Sequence, residues 1–256
     1  MSDKFESLIT NNKLGIKDYN LFEKVSRDFT LVRTKQLETS PIKGNFDFQH
    51  LKDIHKYIFQ DVFEWAGKDR QELGLLDGFG KRAPNGEITS FVPGSDIKKY
   101  ADIIFSDLKE QNYLKNSKDI NQFAKGAANL LMNLNALHPF REGNGRTQRV
   151  FMNQLAKNAG YKLDLALIPK ETMIKASVQA SKLKPQLLEA AIKTNLKSFK
   201  QNLSRNRVME CHYNSKIIFF RYLNNIKKIF IIAIVILPFL FLFLFLFLFW
   251  CFDFLL

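Results

Sequence analysis

His138-Pro139-Phe140-Arg141-Glu142-Gly143-Asn144-Gly145-Arg146-Thr147-Gln148-Arg149 is the stretch on which the reading of the whole chain turns. Its residue types supply most of what a triphosphate needs. Gly143 and Gly145 permit positive φ and let backbone N–H groups come close to an anion. Helix-forming residues run from Arg146 through Ala156 and stop at Gly160. The glycines therefore fall at a helix N-terminus, where unpaired amides and the macrodipole favour negative charge. Arg146 and Arg149 are (i, i+3) neighbours, so both guanidiniums can point to one side. Glu142 is a hard oxygen ligand beside that site, suited to Mg²⁺ shared with phosphates. His138 precedes it by four residues and titrates in the range suited to taking a proton from a hydroxyl.

Working outward, the segment before His138 predicts a buried helix. Asp119 caps it, and Phe123, Ala127, Leu130, Leu131, Leu134 and Leu137 form its apolar stripe. Pro139 reinforces the stop, because a residue before proline disfavours the α region. The stretch thus joins two helices. Upstream, Ser95 or Asp96 caps a helix reaching about Tyr113, with Ile97, Ala101, Ile104, Phe105 and Leu108 inward. Residues 71–94 break helical periodicity. Asn85-Gly86 is a hairpin signal, Ile88-Thr89-Ser90-Phe91-Val92 has strand character, and Pro84 suits an exposed edge. Asp47 caps a helix carrying Leu51, Ile54, Ile58, Val62 and Trp65 that stops at Gly67. Asp18 caps another carrying Leu21, Phe22, Val25, Phe29 and Val32, ended by Pro41 and Gly44. Downstream, Leu163, Leu165, Leu167 and Ile168 lead to Pro169, and Lys170 to about Phe199 reads as two helices broken near Lys184-Pro185. The predicted fold is a mostly α helical bundle with one small β-hairpin. The predicted organisation is an N-terminal helical segment 1–45, a catalytic domain 46–200, a basic linker 201–228 and an apolar segment 229–252.

The twelve residues from His138 to Arg149 resemble the signature of the Fic family, HxFx(D/E)GNGRxxR, at every fixed position. The text from Gly44 to Arg70, with Glu64-Trp65-Ala66-Gly67, is similar to that family as well. The resemblance implies the Fic fold and transfer of AMP from ATP to a Ser, Thr or Tyr hydroxyl of a target protein, with pyrophosphate released. It implies that His138 is the general base, that Phe140 packs inward to fix the loop, and that Glu142 holds Mg²⁺ on the α- and β-phosphates. Gly143, Asn144 and Gly145 would form the anion hole. Arg146 would support the β-phosphate and Arg149 grip the γ-phosphate, with Thr147 and Gln148 completing the nucleotide-binding segment. In proteins this chain resembles, a hairpin flap lies over the nucleotide and pairs with the target backbone as an added strand. Here Ile88, Thr89, Ser90 and Phe91 would take that part. His55 and Trp65 read as core or supporting residues. The alternatives are phosphorylation, as in the related Doc-type proteins, and a catalytically silent nucleotide-binding partner of an antitoxin chain. Many relatives carry an inhibitory helix with the pattern [ST]xxxE[GN]. Thr34 with Glu38, Ser2 with Glu6 and Ser106 with Glu110 each start the pattern, but Thr39, Ser7 and Gln111 break it. Inhibition would then come from a separate small antitoxin-like chain.

The net charge is +13. The lysines are scattered and no nucleic-acid motif occurs, so the charge reads as a solvated surface with some bias towards acidic partners. Cys211 and Cys251 lie near the end of the chain and give neither a disulfide framework nor a metal–thiolate site. The first residues contain no apolar signal core, and ATP use points to a cytoplasmic catalytic domain. Residues 229–252 carry no charge, long enough to span a bilayer as a helix. Arg221, Lys227 and Lys228 precede them, which places the domain at the inner face of the membrane if the segment inserts. The repeated Phe-Leu text from Phe239 onward equally fits an out-of-frame extension encoded by a repetitive thymine tract. Both readings of the tail stand.

Overall fold

The structure, a computed structural model, describes residues 3–82 and 86–198. The segments 201–228 and 229–252 lie outside the described residues, and the membrane-helix expectation lies there with them. Among the described residues no helix is long and apolar enough to cross a membrane. A short helix, α1 (Asp3–Thr10), leads into a turn held by Asn12, whose side-chain amide donates to the Ile9 and Ile16 carbonyls. Three long helices then start where an aspartate caps them. Asp18 accepts from the Leu21 N–H at 2.7 Å and opens α2 (Tyr19–Thr39). Asp47 accepts from His50 N–H at 2.8 Å and opens α3 (Phe48–Phe59). Further on, Asp119 accepts from Gln122 N–H at 2.8 Å at the head of the central helix. Each bond satisfies one donor that the first helical turn leaves without a partner.

Between α3 and the next helix the chain forms the predicted hairpin. Strand β1 (Gly80–Arg82) pairs antiparallel with β2 (Ile88–Ser90), in the register Gly80↔Ser90 and Arg82↔Ile88. Gly86 has φ 85°, as the hairpin turn requires. Then follow α4 (Ile97–Glu110), α5 (Ile120–Leu137) and α6 (Asn144–Asn158). The chain closes with β3 (Tyr161–Leu163), α7 (Lys170–Ser181), α8 (Gln186–Thr194) and β4 (Leu196–Ser198). Helix α5 is the axis of the bundle and packs against α4, α6, α7 and α8. Its whole predicted stripe, Phe123 to Leu137, is buried. Burying such side chains is the main favourable term in holding the helices together.

Four expectations need correction. Helix α3 ends at Phe59, not Gly67, although Val62 and Trp65 stay buried in the turns that follow. There the Trp65 indole N–H donates to the Leu8 carbonyl at 2.8 Å and docks α1. Helix α4 stops at Glu110, and Asp96 occupies its N-cap position without a side-chain capping bond. Strands β3 and β4 make a second two-stranded sheet, with Tyr161 opposite Ser198. Three-residue strands are too short to show an alternating pattern. Most telling, α2 buries Phe22, Ser26, Thr30 and Leu37, while the predicted Leu21, Phe29 and Val32 are 51%, 43% and 58% exposed. The inward side of the helix thus combines Phe22 and Leu37 with Ser26 and Thr30, and Thr30 meets an arginine of the site.

Candidate active site

Helix α5 ends on His138, whose backbone is left-handed at φ 41° and ψ 58°. The pre-proline rule excludes a helical residue there, and the chain answers with a left-handed one rather than an extended one. The loop that follows is clamped from inside. Phe140 N–H donates to Asn144 Oδ1 at 3.0 Å, and Asn144 Nδ2 donates back to the Phe140 carbonyl at 2.7 Å. The Phe140 ring is buried and stacks on His55 at 3.9 Å. His55 Nδ1 accepts from Gly67 N–H, so its Nε2 carries the proton and donates to the Glu142 carbonyl at 3.1 Å. Burial first, and Arg146 nearby, push the His55 pKa down to about 3, which keeps it neutral and its tautomer fixed.

Gly143 then turns the chain into α6 at φ 84°. A Cβ there would lie 2.3 Å from the Phe59 ring, so both the conformation and the contact call for glycine. Gly145 differs from the expectation: it is helical, and a Cβ on it would meet nothing within 4 Å. Open space therefore faces the first turn of α6, whose N–H groups have no partners within the helix. Arg146 stands beside it on three supports. Its Nη1 donates to Thr30 Oγ1 at 3.0 Å, its Nη2 lies 3.5 Å from Glu142 Oε1, and the guanidinium sits 4.6 Å from the centre of the Phe59 ring. Burial lowers the Arg146 pKa and Glu142 opposes the shift. Arg149 is one turn on, exposed, and its guanidinium makes no hydrogen bond among the described residues. The predicted segment thus divides. Asn144, Thr147 and Gln148 turn their side chains inward, onto Phe140, the Gly143 carbonyl and the Leu134 carbonyl. Only Glu142, Gly145, Arg146 and Arg149 face outward.

The hairpin completes the site. Phe91 N–H donates to the Phe79 carbonyl, and Val92 N–H donates to the Ala136 carbonyl on α5, both at 2.9 Å. The Phe91 ring stacks on the His138 imidazole with centres 3.8 Å apart, and Phe79 meets it edge-on at 5.7 Å. His138 is only 8% exposed, and neither ring nitrogen has a hydrogen-bond partner among the described residues. Burial first, then the charges of Lys81 and Arg70, hold its pKa well below the usual histidine range, with a weaker opposing pull from the Asn135 carbonyl. His138 is therefore an unprotonated base under an aromatic cover. Of the predicted flap residues, Ile88 and Ser90 are exposed and Thr89 is half-buried, whereas Phe91 covers the base. Sequence reasoning missed Arg70, which binds both hairpin and loop. Its only signal was a charged residue at the end of the Gly44–Arg70 text.

Comparison with known proteins points to one family. A profile described as "Fic/DOC family" matches residues 45–156. The chain is 38% identical over 197 residues to "Protein adenylyltransferase VbhT" of Bartonella schoenbuchensis, covering 77% of this chain and 39% of that protein. It is 33% identical over 172 residues to "Probable protein adenylyltransferase y4lH" of Sinorhizobium fredii, covering 67% of this chain and 83% of that protein. Among solved structures, the N-terminal Fic domain of a Bartonella quintana effector with bound ADP superposes with a TM-score of 0.65 at 30% identity, over 75% of this chain and 92% of that one. The chain thus spans about two fifths of VbhT and most of the shorter relative.

Proposed function

The chain belongs to the Fic/DOC family, and on that premise we propose that it is a protein adenylyltransferase. It would move AMP from ATP to a Ser, Thr or Tyr hydroxyl of a target protein. One juxtaposition supports this most: an unprotonated, buried His138 at one end of a short clamped loop, and the open N-terminus of α6 with Arg146 and Arg149 at the other. The triphosphate of ATP fits the second place, where amides and guanidiniums converge. The target hydroxyl fits the first, once Phe91 swings off the imidazole. His138 then takes the hydroxyl proton while the oxygen attacks the α-phosphorus. The bond from that phosphorus to the bridging oxygen breaks, and its electrons leave with pyrophosphate. Catalysis of this kind is positioning and charge stabilisation, with one proton to move.

Glu142 fits a Mg²⁺ ligand. Its Oε1 already accepts from Gly143 N–H at 3.0 Å, which aims the carboxylate at the phosphate space, and its side chain is 33% exposed. One carboxylate plus substrate phosphates is a usual donor set for this ion, and no acidic or His/Cys cluster that would compete for it occurs among the described residues. When bound, Mg²⁺ would neutralise phosphate charge as it develops on the leaving group.

The test is incubation of the chain with Mg²⁺, ATP labelled at the α- or the γ-phosphate, and a cell lysate, beside a His138→Ala control. Label from the α-phosphate on a protein band, absent in the control, is the expected result. Label from the γ-phosphate alone would replace the proposal with a kinase, and nucleotide binding without any transfer would replace it with a silent partner. The same proposal includes a cytoplasmic site of action and a separate antitoxin-like inhibitor chain, which would co-purify with the native protein. Membrane tethering through residues 229–252 belongs to it as well, and recovery of the full chain wholly in the soluble fraction would end that part.

A further inference from the structure

Arg70 is the structural oddity of the molecule. It is 0% exposed, yet no salt bridge to it occurs among the described residues. A buried cation held in no ion pair is expensive, and here burial lowers its pKa to about 10, with the charge of neighbouring Asp69 only partly opposing the shift. Its hydrogen bonds go to backbone carbonyls instead. Nε donates to the His138 carbonyl at 2.9 Å, and Nη2 donates to the Val92 carbonyl at 2.6 Å and the Leu137 carbonyl at 3.3 Å. Its own N–H donates to the Pro139 carbonyl at 2.7 Å, and its guanidinium lies 4.7 Å from the centre of the Phe79 ring. The two sides of this junction also meet through the Val92 N–H bond to the Ala136 carbonyl and the rings of Phe79 and Phe91 on His138, but Arg70 is the side chain that donates to backbone carbonyls of both. Leu137, His138 and Pro139 carry the base, whereas Phe79 and Val92 are the two feet of the hairpin. A planar guanidinium can satisfy carbonyls on both sides at once, which a lysine ammonium at the end of a flexible stem cannot do with the same fixed spread.

We propose that Arg70 is a positioning residue that joins the hairpin to the base, holding the left-handed His138 backbone and the foot of β2 in one register. A target strand added to the hairpin is thereby placed at a fixed distance from the imidazole. The nucleotide end of the site is held by different residues, namely Asn144, His55, Phe59 and Thr30. Arg70 therefore serves the target-hydroxyl side of the reaction and not the ATP side. This rests on the adenylyltransferase reading for its functional consequence but not for its geometry.

The test compares the full chain with Arg70→Lys, which keeps the charge and loses the fork. Three quantities are read: affinity for a non-hydrolysable ATP analogue, hydrogen exchange of the Val92 amide, and transfer of α-phosphate label to lysate proteins. The expected result is analogue affinity within about twofold of wild type, by the separation of the two ends. Exchange at Val92 should quicken and transfer slow, each by about tenfold or more, as a local opening of the junction requires. Unchanged exchange at Val92 would overturn the proposal. So would a loss of analogue affinity as large as the loss of transfer, which is what a merely destabilised fold would give. Should Arg70→Lys not fold, the wild type still decides: the amides of Arg70 and Val92 should open with one common protection factor, and independent opening refutes the junction. If the wild type transfers no label at all, the enzymatic reading has failed, and the exchange measurements alone judge Arg70.

Discussion

Gly145→Ala separates stability from nucleotide binding. Gly145 is in the first turn of α6 with helical backbone, and an added Cβ would meet no protein atom within 4 Å. Replacing a helical glycine whose conformation alanine shares stabilises by about 0.4–1 kcal/mol, chiefly through the unfolded chain. For a domain of this size that raises Tm by roughly 1–4 °C. The methyl group projects into the space where the α6 amides would meet phosphate oxygens. Displacing a phosphate from one such charge-assisted hydrogen bond costs about 1.5–3 kcal/mol, or roughly a 10- to 150-fold rise in Kd. Gly143→Ala is the opposite case, since its Cβ would strike the Phe59 ring at 2.3 Å and its φ is 84°; Tm should fall. Thermal melts and calorimetric titration with an ATP analogue read both effects. Nucleotide affinity within twofold of wild type in a Gly145→Ala protein of raised Tm would show that no phosphate lies over α6, and the anion-site argument would fail.

Three further outcomes are expected. Thr30→Val removes the hydroxyl that accepts from Arg146 Nη1; Arg146 keeps its other two supports, so KM for ATP should rise only about three- to tenfold, the worth of one ordinary hydrogen bond, with kcat unchanged and Thr30→Ser normal. Equal KM in the Val variant would show that α2 does not position Arg146. Phe91→Ala uncovers His138, so water reaches the ring and its pKa climbs back towards the ordinary value; the acid limb of the transfer rate should move to higher pH, and an unmoved limb would separate the cover from the base. Stability should fall with acid, because His55 and His138 are held neutral when folded and take up protons when unfolded. For each, stability is fully present above the unfolded pKa near 6.5 and is lost as pH falls below it, by about 1.4 kcal/mol per pH unit. Asp69, whose pKa burial raises, works weakly the other way. Urea melts at pH 7 and pH 5 that give equal stability would contradict the buried-neutral assignment.

Much of this was legible in the sequence, for local reasons. The three capping aspartates act on an N–H three residues away, and the α5 stripe repeats within a single helix. What escaped depends on partners far along the chain. Thr30 accepts from Arg146, 116 residues later. His138 keeps a left-handed backbone while Arg70, 68 residues earlier, holds its carbonyl. No periodicity within α2 or around Pro139 contains either fact. The aromatic cover on His138 is of the same kind: Phe91 was read as a strand residue facing a partner, and only the bond of the next residue, Val92, to the end of α5 turns it onto the ring.

The division inside the twelve-residue stretch, by contrast, was written in the sequence and is recovered by extending the core stripe backwards. Phe151, Met152 and Leu155 are the buried face of α6, and counting back by helical steps of three and four reaches Gln148, Thr147 and Asn144. Those three positions had to point inward, whatever their polarity. A polar side chain in a core stripe must find a partner, and each finds a specific backbone carbonyl: Leu134, Gly143 and Phe140 respectively. Each carbonyl belongs to the end of α5 or to the loop that joins it to α6. The polar residues of the stretch therefore do two separate jobs. One set replaces apolar contacts with hydrogen bonds that fix the loop, and the other, Glu142, Arg146 and Arg149, is left by the same periodicity to face outward. It follows that Asn144→Ala should damage the nucleotide site through loop geometry, although the Asn144 side chain has no route to a phosphate.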